Sequence, residues 1–180
     1  MIVEKELFMS KLNETRKIFI YLPDDYETSN KQYPVLYAFD GHNIFLDAHA
    51  TYGKAIHIQQ HIEKLGIDMI VVGQECSHVG NNRLKEYAPY SFYDPEYGSF
   101  EGQGEETMDF FVHELKPYID DHYRTKKTRK NTFIGGSSCG GLMALYAAYA
   151  YSNVYSKAIV ISPYVLESMD AILKDIHQSH

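Results

Sequence analysis

A serine flanked by glycines is the residue of this sequence with the clearest chemical meaning. The segment Gly136-Ser137-Ser138-Cys139-Gly140 fits the pattern G-x-S-x-G, in which the central serine lies on a sharp turn from strand to helix. Such a turn exposes the serine hydroxyl, and glycine on either side avoids a collision between neighbouring side chains. The N-terminus of the following helix directs free N–H groups at the charge that develops during acyl transfer. The pattern predicts Ser138 as a nucleophile and the backbone N–H of Cys139 as an oxyanion donor.

Two other glycine-rich turns do not fit the same segment. A phosphate-binding P-loop has Lys and then Ser or Thr after its last glycine, whereas Gly140 is followed by Gly141 and Leu142. The glycines also lack the G-x-G-x-x-G spacing of a dinucleotide site. A glycine turn that only permits tight packing, and Cys139 as the nucleophile, remain as alternatives, although we expect the Cys139 side chain to point away from a cleft.

The segments around this turn predict an α/β domain. Polar and apolar patterns indicate an opening pair of strands, after which short apolar strands alternate with helices, and this order favours a mostly parallel sheet covered on both faces. We predict strands at 3–10, 16–23, 34–40, 68–75, 131–137 and 155–163, and helices at 53–67, 105–123, 140–152 and 165–178. The segment 76–104 has no regular pattern and is rich in Tyr and Phe, which predicts an ordered wall or lid. We find no linker or repeat and predict a single domain over 1–180.

Composition excludes several classes of partner. The chain has 180 residues and a net charge of −7, which argues against nucleic-acid binding, because that affinity depends on concentrated Lys and Arg. No apolar stretch is long enough to cross a membrane, and the N-terminus lacks a secretory signal pattern. The two cysteines form neither a metal-binding pattern nor a disulfide framework. We therefore expect a cytoplasmic protein without metal or membrane partner.

Several motifs in order resemble one family. They are RKIFIYLPDDY, YPVLYAFDGHNIF, MIVVGQE, NNRLKEYAPY, FFVHELKPYIDDHYRT and TFIGGSSCGGLMALY. Together they resemble the esterase D-like branch of the α/β-hydrolases, which includes enterochelin-type esterases. The resemblance implies an α/β-hydrolase-like sheet and a serine carboxylester hydrolase that acts on small-molecule esters without cofactor or metal. It assigns Ser138 as nucleophile and the backbone N–H groups of Cys139 and His42 as oxyanion donors, with Asp40 and Gly41 shaping the turn.

The same resemblance places the acid and the base of the triad after two further strands. The segment 155–163 corresponds to the sixth strand, and the sequence ends at His180. We therefore expect a chain that is truncated after about the sixth strand and lacks both activating residues. A non-catalytic hydrolase-fold protein that binds a ligand or a partner is the alternative to an active esterase.

Other residues could replace the missing groups only if the fold brings them to Ser138. His78 lies in the long segment that could approach the cleft, and the acidic residues Asp94, Glu96 and Glu101 of that segment could orient a base. The spacing does not select among them. Six other histidines are expected on surfaces or near the C-terminus, and they are His57, His61, His113, His122, His177 and His180.

The expected truncation leaves the sixth strand as a sheet edge. Its segment KAIVIS is apolar, and an apolar edge with unpaired backbone groups invites pairing with another chain. Symmetric pairing with a second copy would cover it. We therefore expect a homo-oligomer joined near residues 155–180.

Overall fold

A computed structural model describes residues 1–165 and 168–178 of the chain. The main sheet has six strands, which are β1 (Ile2–Met9), β2 (Glu14–Tyr21), β3 (Val35–Phe39), β4 (Ile70–Gln74), β7 (Thr132–Ser137) and β8 (Lys157–Ile161). Their order across the sheet is β1-β2-β4-β3-β7-β8. The opening pair is antiparallel, and β4, β3, β7 and β8 run parallel. The predicted α/β-hydrolase-like, mostly parallel sheet is confirmed.

The helices and a small second sheet complete the fold. The helices are α1 (Ile58–Lys64), α2 (Asn82–Glu86), α3 (Gly104–Asp109), α4 (Lys116–His122), α5 (Cys139–Ala150) and α6 (Met169–Gln178). The segment Phe110–Leu115 between α3 and α4 is π-helical, and 3-10 turns span Gly41–Asn43 and Arg129–Asn131. A two-stranded hairpin joins β5 (Phe92–Asp94) to β6 (Gly98–Phe100). None of the helices in the described ranges is long and apolar enough to cross a membrane.

Strand β3 shows why the centre of the sheet has apolar side chains on both faces. Val35, Tyr37 and Phe39 belong to a large core cluster, which also contains residues of the π-helical segment and of α5. Leu36 and Ala38 belong to a smaller cluster on the opposite side of the strand. Because side chains alternate between the two faces of a sheet, this short strand contributes side chains to two cores.

Three predicted elements differ from the structure. The helix predicted at 53–67 is only α1, because Gly53 and His57 have positive φ and interrupt a helix there. The segment predicted as irregular, 76–104, contains α2 and the β5–β6 hairpin. The last helix begins at Met169, and the predicted start near 165 adjoins residues 166 and 167, which lie outside the described ranges.

Strand β8 is the last strand of the sheet. It pairs only with β7 among the described strands. Ile159 and Ile161 are about half exposed, at 48% and 50%. The region in which we predicted a contact between copies, 155–180, includes residues 166, 167, 179 and 180, which lie outside the described residues.

Candidate active site

Ser138 occupies the turn that the sequence predicts. It stands between β7 and α5, its side chain is exposed, and its backbone has φ 56° and ψ −123°. A non-glycine residue with positive φ is strained and persists only where its surroundings fix it. Here the Ser138 N–H donates to the Ile161 carbonyl at 3.1 Å, and the Ser138 carbonyl accepts from the Tyr164 N–H at 3.0 Å. These bonds hold the turn against β8 and the segment after it.

Position 136, two residues before Ser138, has no space for a side chain. A Cβ atom on Gly136 would lie 2.3 Å from the carbonyl oxygen of Gly140. Contact this close with backbone leaves no room for any side chain. The turn therefore requires glycine at position 136.

The turn after β3 lies beside the serine turn. Strands β3 and β7 are parallel neighbours, so their carboxyl ends meet at the same edge of the sheet. Asp40 has φ 56° and begins the 3-10 turn, and a Cβ atom on Gly41 would lie 2.3 Å from the backbone of Gly73. Glycine at position 41 therefore lets this turn pack directly on β4.

The two predicted oxyanion donors are both free of backbone partners. Within residues 1–165 and 168–178, the N–H groups of His42 and Cys139 donate no hydrogen bond. Cys139 is the first residue of α5, where an N–H has no partner inside the helix. Neither N–H group therefore has an acceptor within the described residues.

The His42 side chain is buried behind its turn. Its Nε2 lies 3.1 Å from the Thr51 hydroxyl, and its Nδ1 is buried without a hydrogen-bond partner. Burial lowers the pKa of His42, which favours the neutral ring. His42 does not line the cleft in front of Ser138, so its imidazole is not placed to act on the serine.

Asp40 and Arg83 form an ion pair at the rim of that cleft. Arg83 Nε and Nη2 donate to the two carboxylate oxygens of Asp40 at 2.8 and 2.7 Å. Burial alone would lower the pKa of the Arg83 guanidinium, but the Asp40 carboxylate raises it, so the charge persists. No role for Arg83 could be predicted from the sequence, because its partner Asp40 lies 43 residues away in the chain.

The cleft in front of Ser138 has a volume of about 380 Å³. Its walls are mostly apolar, with Leu36, Ile44, Ile58 and Ile159 among the lining side chains. The polar groups of the wall include the Asp40–Arg83 pair and the two serines of the turn. An apolar cleft with a few polar groups at one end is the usual form of a small-molecule site.

None of the histidines within the described ranges lines this cleft. His78 contacts Glu75 at 3.2 Å, His57 contacts Asp47 at 2.9 Å, and His122 and His177 bond to carbonyls of their own helices. His180 lies outside the described residues. The described chain therefore brings no imidazole into the Ser138 cleft.

The acidic residues of the long segment also have other positions. Asp94 accepts the backbone N–H groups of Glu96 and Tyr97 at 2.8 and 2.9 Å, and it accepts the Tyr164 hydroxyl. These bonds close the β5–β6 turn, and they lower the pKa of Asp94. Glu96 and Glu101 are exposed and absent from the cleft wall.

Comparison with known protein families shows the family to which this chain belongs. A family model described as "Putative esterase" matches residues 9–177. The chain belongs to this esterase family. Relatives of this chain include YjcH of Bacillus subtilis, 31% identical over 163 residues that cover 90% of this chain and 61% of YjcH. The esterase Rv1288 of Mycobacterium tuberculosis is 32% identical over 139 residues, which cover 76% of this chain and 27% of that protein.

Solved structures of the same fold extend beyond this chain. An IroE-like serine hydrolase from Shewanella oneidensis superposes with a TM-score of 0.80 at 24% identity, covering 99% of this chain and 56% of that one. The enterobactin and salmochelin hydrolase IroE superposes with a TM-score of 0.68 at 16% identity, covering 97% and 67%. At these identities the likeness shows the fold alone. This chain spans 61% and 56% of the two Bacillus subtilis relatives that it matches.

Proposed function

We propose that this chain carries the nucleophile and the oxyanion donors of a serine carboxylester hydrolase. The observation that carries the proposal is Ser138, exposed on a strained turn at the mouth of an apolar cleft. In the reaction, Ser138 Oγ attacks the ester carbonyl, and the N–H groups of His42 and Cys139 stabilise the oxyanion. The alcohol leaves, and water releases the acid from the acyl-serine.

Small-molecule esters are the proposed substrates. The apolar wall supports an acyl or aromatic group, and the Asp40–Arg83 pair supports a polar group at the rim. Structural neighbours include a ferulic acid esterase and the siderophore hydrolase EstA of Aspergillus nidulans. Their names agree with ester hydrolysis and do not select one ester for this chain.

Attack by Ser138 needs a base that takes the Oγ proton. Because none of the described histidines lines the cleft, a second function is a ligand-binding hydrolase fold without turnover. In that function, the cleft binds an ester or a related ligand and releases it unchanged. The two functions differ in whether Ser138 is activated.

Labelling with a fluorophosphonate tests the proposal. The probe reacts with an activated serine beside an oxyanion hole and needs no specific substrate. We expect one adduct by intact mass on the 180-residue chain and on Ser137→Ala, a matched control in the same turn, and none on Ser138→Ala. Absence of an adduct on the folded wild-type chain would refute the hydrolase and favour ligand binding.

We further propose that a second copy of the chain covers the edge of β8. The outer edge of β8 supports this contact, because β8 pairs only with β7 among the described strands. Light scattering at micromolar concentration should give more than a monomer mass, and Val160→Lys, a change on β8 outside the cleft wall, should lower it. A monomer mass for the wild-type chain would refute the contact.

The buried free thiols Cys76 and Cys139 support the predicted cytoplasmic location.

A further inference from the structure

Three metal-binding side chains meet behind the turn that follows β3. One ring nitrogen of His42, one of His78 and the Sγ of Cys76 all lie within 4.8 Å of one another. His42 and Cys76 are each 2% exposed, whereas His78 is exposed on the loop after β4. The two rings meet edge to face with their centroids 4.7 Å apart. The group therefore has two rigid members and one that solvent reaches.

An unpartnered nitrogen points to a missing ligand in this group. His42 Nδ1 is buried and accepts no hydrogen bond, while Nε2 is engaged by the Thr51 hydroxyl. A neutral ring that donates from Nε2 to Thr51 has its lone pair on Nδ1. A buried polar atom without a partner is costly unless something binds it.

His78 has the second contact that a metal-binding histidine usually makes. Its Nε2 lies 3.2 Å from a carboxylate oxygen of Glu75. A carboxylate that accepts the N–H of one ring nitrogen orients the ring and makes the other nitrogen a better ligand. Since Asp40 is paired with Arg83, Glu75 is the neighbouring carboxylate left to balance a cation.

We propose that His42, Cys76 and His78 form a binding site for Zn²⁺ or a chemically similar divalent transition-metal ion. Two imidazoles and one thiolate are ligands that Zn²⁺ prefers, with a fourth position left for water. Tetrahedral Zn²⁺ requires these ligand atoms about 3.3–3.6 Å apart, from bond lengths of about 2.0–2.3 Å. Because the three atoms already lie within 4.8 Å of one another, each pair has to approach by at most about 1.5 Å. The Cys76 thiol loses its proton to solvent as the metal–sulfur bond forms.

The site connects the segments that follow two neighbouring strands of the sheet, β3 and β4. His42 belongs to the turn after β3, and Cys76 and His78 belong to the loop after β4. A bound ion holds this loop against the turn. We expected no metal from the sequence, because His42 lies far from Cys76 and His78 in the chain and the three residues form no local pattern.

Metal titration of the tag-free, chelator-treated full chain tests the site. We expect one Zn²⁺ per chain in competition with a chromophoric chelator, and a thiolate-to-cobalt charge-transfer band when Co²⁺ is added instead. His78→Ala and Cys76→Ser each remove a ligand and should weaken Zn²⁺ binding by at least about 10–100-fold, the usual cost of losing only an outer partner of a ligand. His122→Ala removes an equally exposed histidine outside the group and should bind as the wild type does.

Two results would overturn the site. One is a folded wild-type chain that binds less than one Zn²⁺ or gives no thiolate band with Co²⁺. The other is equal affinity in His78→Ala and His122→Ala. Because His78 is exposed, His78→Ala keeps the fold, and circular dichroism checks this directly.

Discussion

The buried ion pair between Arg16 and Glu86 links β2 to the helix that carries Arg83. The side chains of Arg16 and Glu86 are only 8% and 4% exposed. Glu86 Oε1 accepts from the Arg16 guanidinium, and Oε2 accepts the Ser77 N–H at 2.9 Å. Glu86→Gln keeps the size of the side chain and its bond to Ser77 but removes the charge that compensates Arg16.

The expected cost follows from the remaining partners of Arg16. Removing one member of a buried ion pair costs about 3–5 kcal/mol, because the other charge stays buried. Glu14 still contacts Arg16 at 3.1 Å, with half of its own side chain exposed, so we expect the lower end, about 3 kcal/mol. This is a large part of a typical free energy of unfolding of about 5–15 kcal/mol.

Urea unfolding at neutral pH measures this cost. With an m value of about 2 kcal/mol/M, Glu86→Gln should lower the midpoint by about 1.5 M without changing m. Asp68→Asn makes the same change in an exposed pair, where Asp68 lies 3.2 Å from Lys31, and it should cost at most about 1 kcal/mol. Equal midpoint shifts in the two variants would refute the reasoning from burial.

Three further changes test the packing around the site. Gly136→Ala places a Cβ atom against backbone and should lower the free energy of unfolding in urea by about 3 kcal/mol. In the control Gly53→Ala, the new Cβ atom meets no atom within 4 Å, so only its positive φ should cost stability, by about 1 kcal/mol. Equal losses in the two variants would contradict the steric reason for Gly136. Tyr87→Phe removes a buried hydroxyl that donates to Gln74 at 2.7 Å and should cost about 1–3 kcal/mol, so a midpoint like that of the wild type would show that water replaces the hydroxyl. Hydrogen bonds from backbone N–H groups lower the pKa of Asp94, so its contribution to stability is complete above the ordinary pKa of about 3.9 and is lost as pH falls through the pKa of the folded state. In thermal melts from about pH 6 to about pH 2, the melting temperature of Asp94→Asn should therefore fall less steeply with acid than that of the wild type. Equal slopes in the two proteins would argue against this contribution.

Much of the sheet could be predicted from the sequence because its central strands are short apolar runs. Val35–Phe39 and Ile70–Gln74 are buried along their whole length, and such runs have few alternatives to a strand inside a parallel sheet. The opening hairpin was also predictable, because a polar turn separates two segments of β pattern. The helix of α5 followed from the glycine turn and the run of small and apolar residues after it.

The segment 76–104 was predicted only as ordered, without its elements. Its helix α2 has five residues, too few for a helical period to stand out in the sequence. Glu86 stabilises this helix through Arg16, a residue on a distant strand. Local sequence does not encode such a contact, so the element could not be predicted from its own residues.

By itself, the sequence determined the strand-to-helix turn at Ser138, because steric exclusion at Gly136 is a local property of backbone that returns on itself. The family followed from motifs spread along the chain. Only the tertiary structure decided which side chains meet at the ends of the strands. It pairs Asp40 with Arg83, keeps the described histidines out of the Ser138 cleft, and brings Cys76 to two of the chain's histidines. Asp40 is far from Arg83 in the chain, as His42 is from Cys76, and the parallel pairing of β3 with β4 brings the segments that follow these strands together.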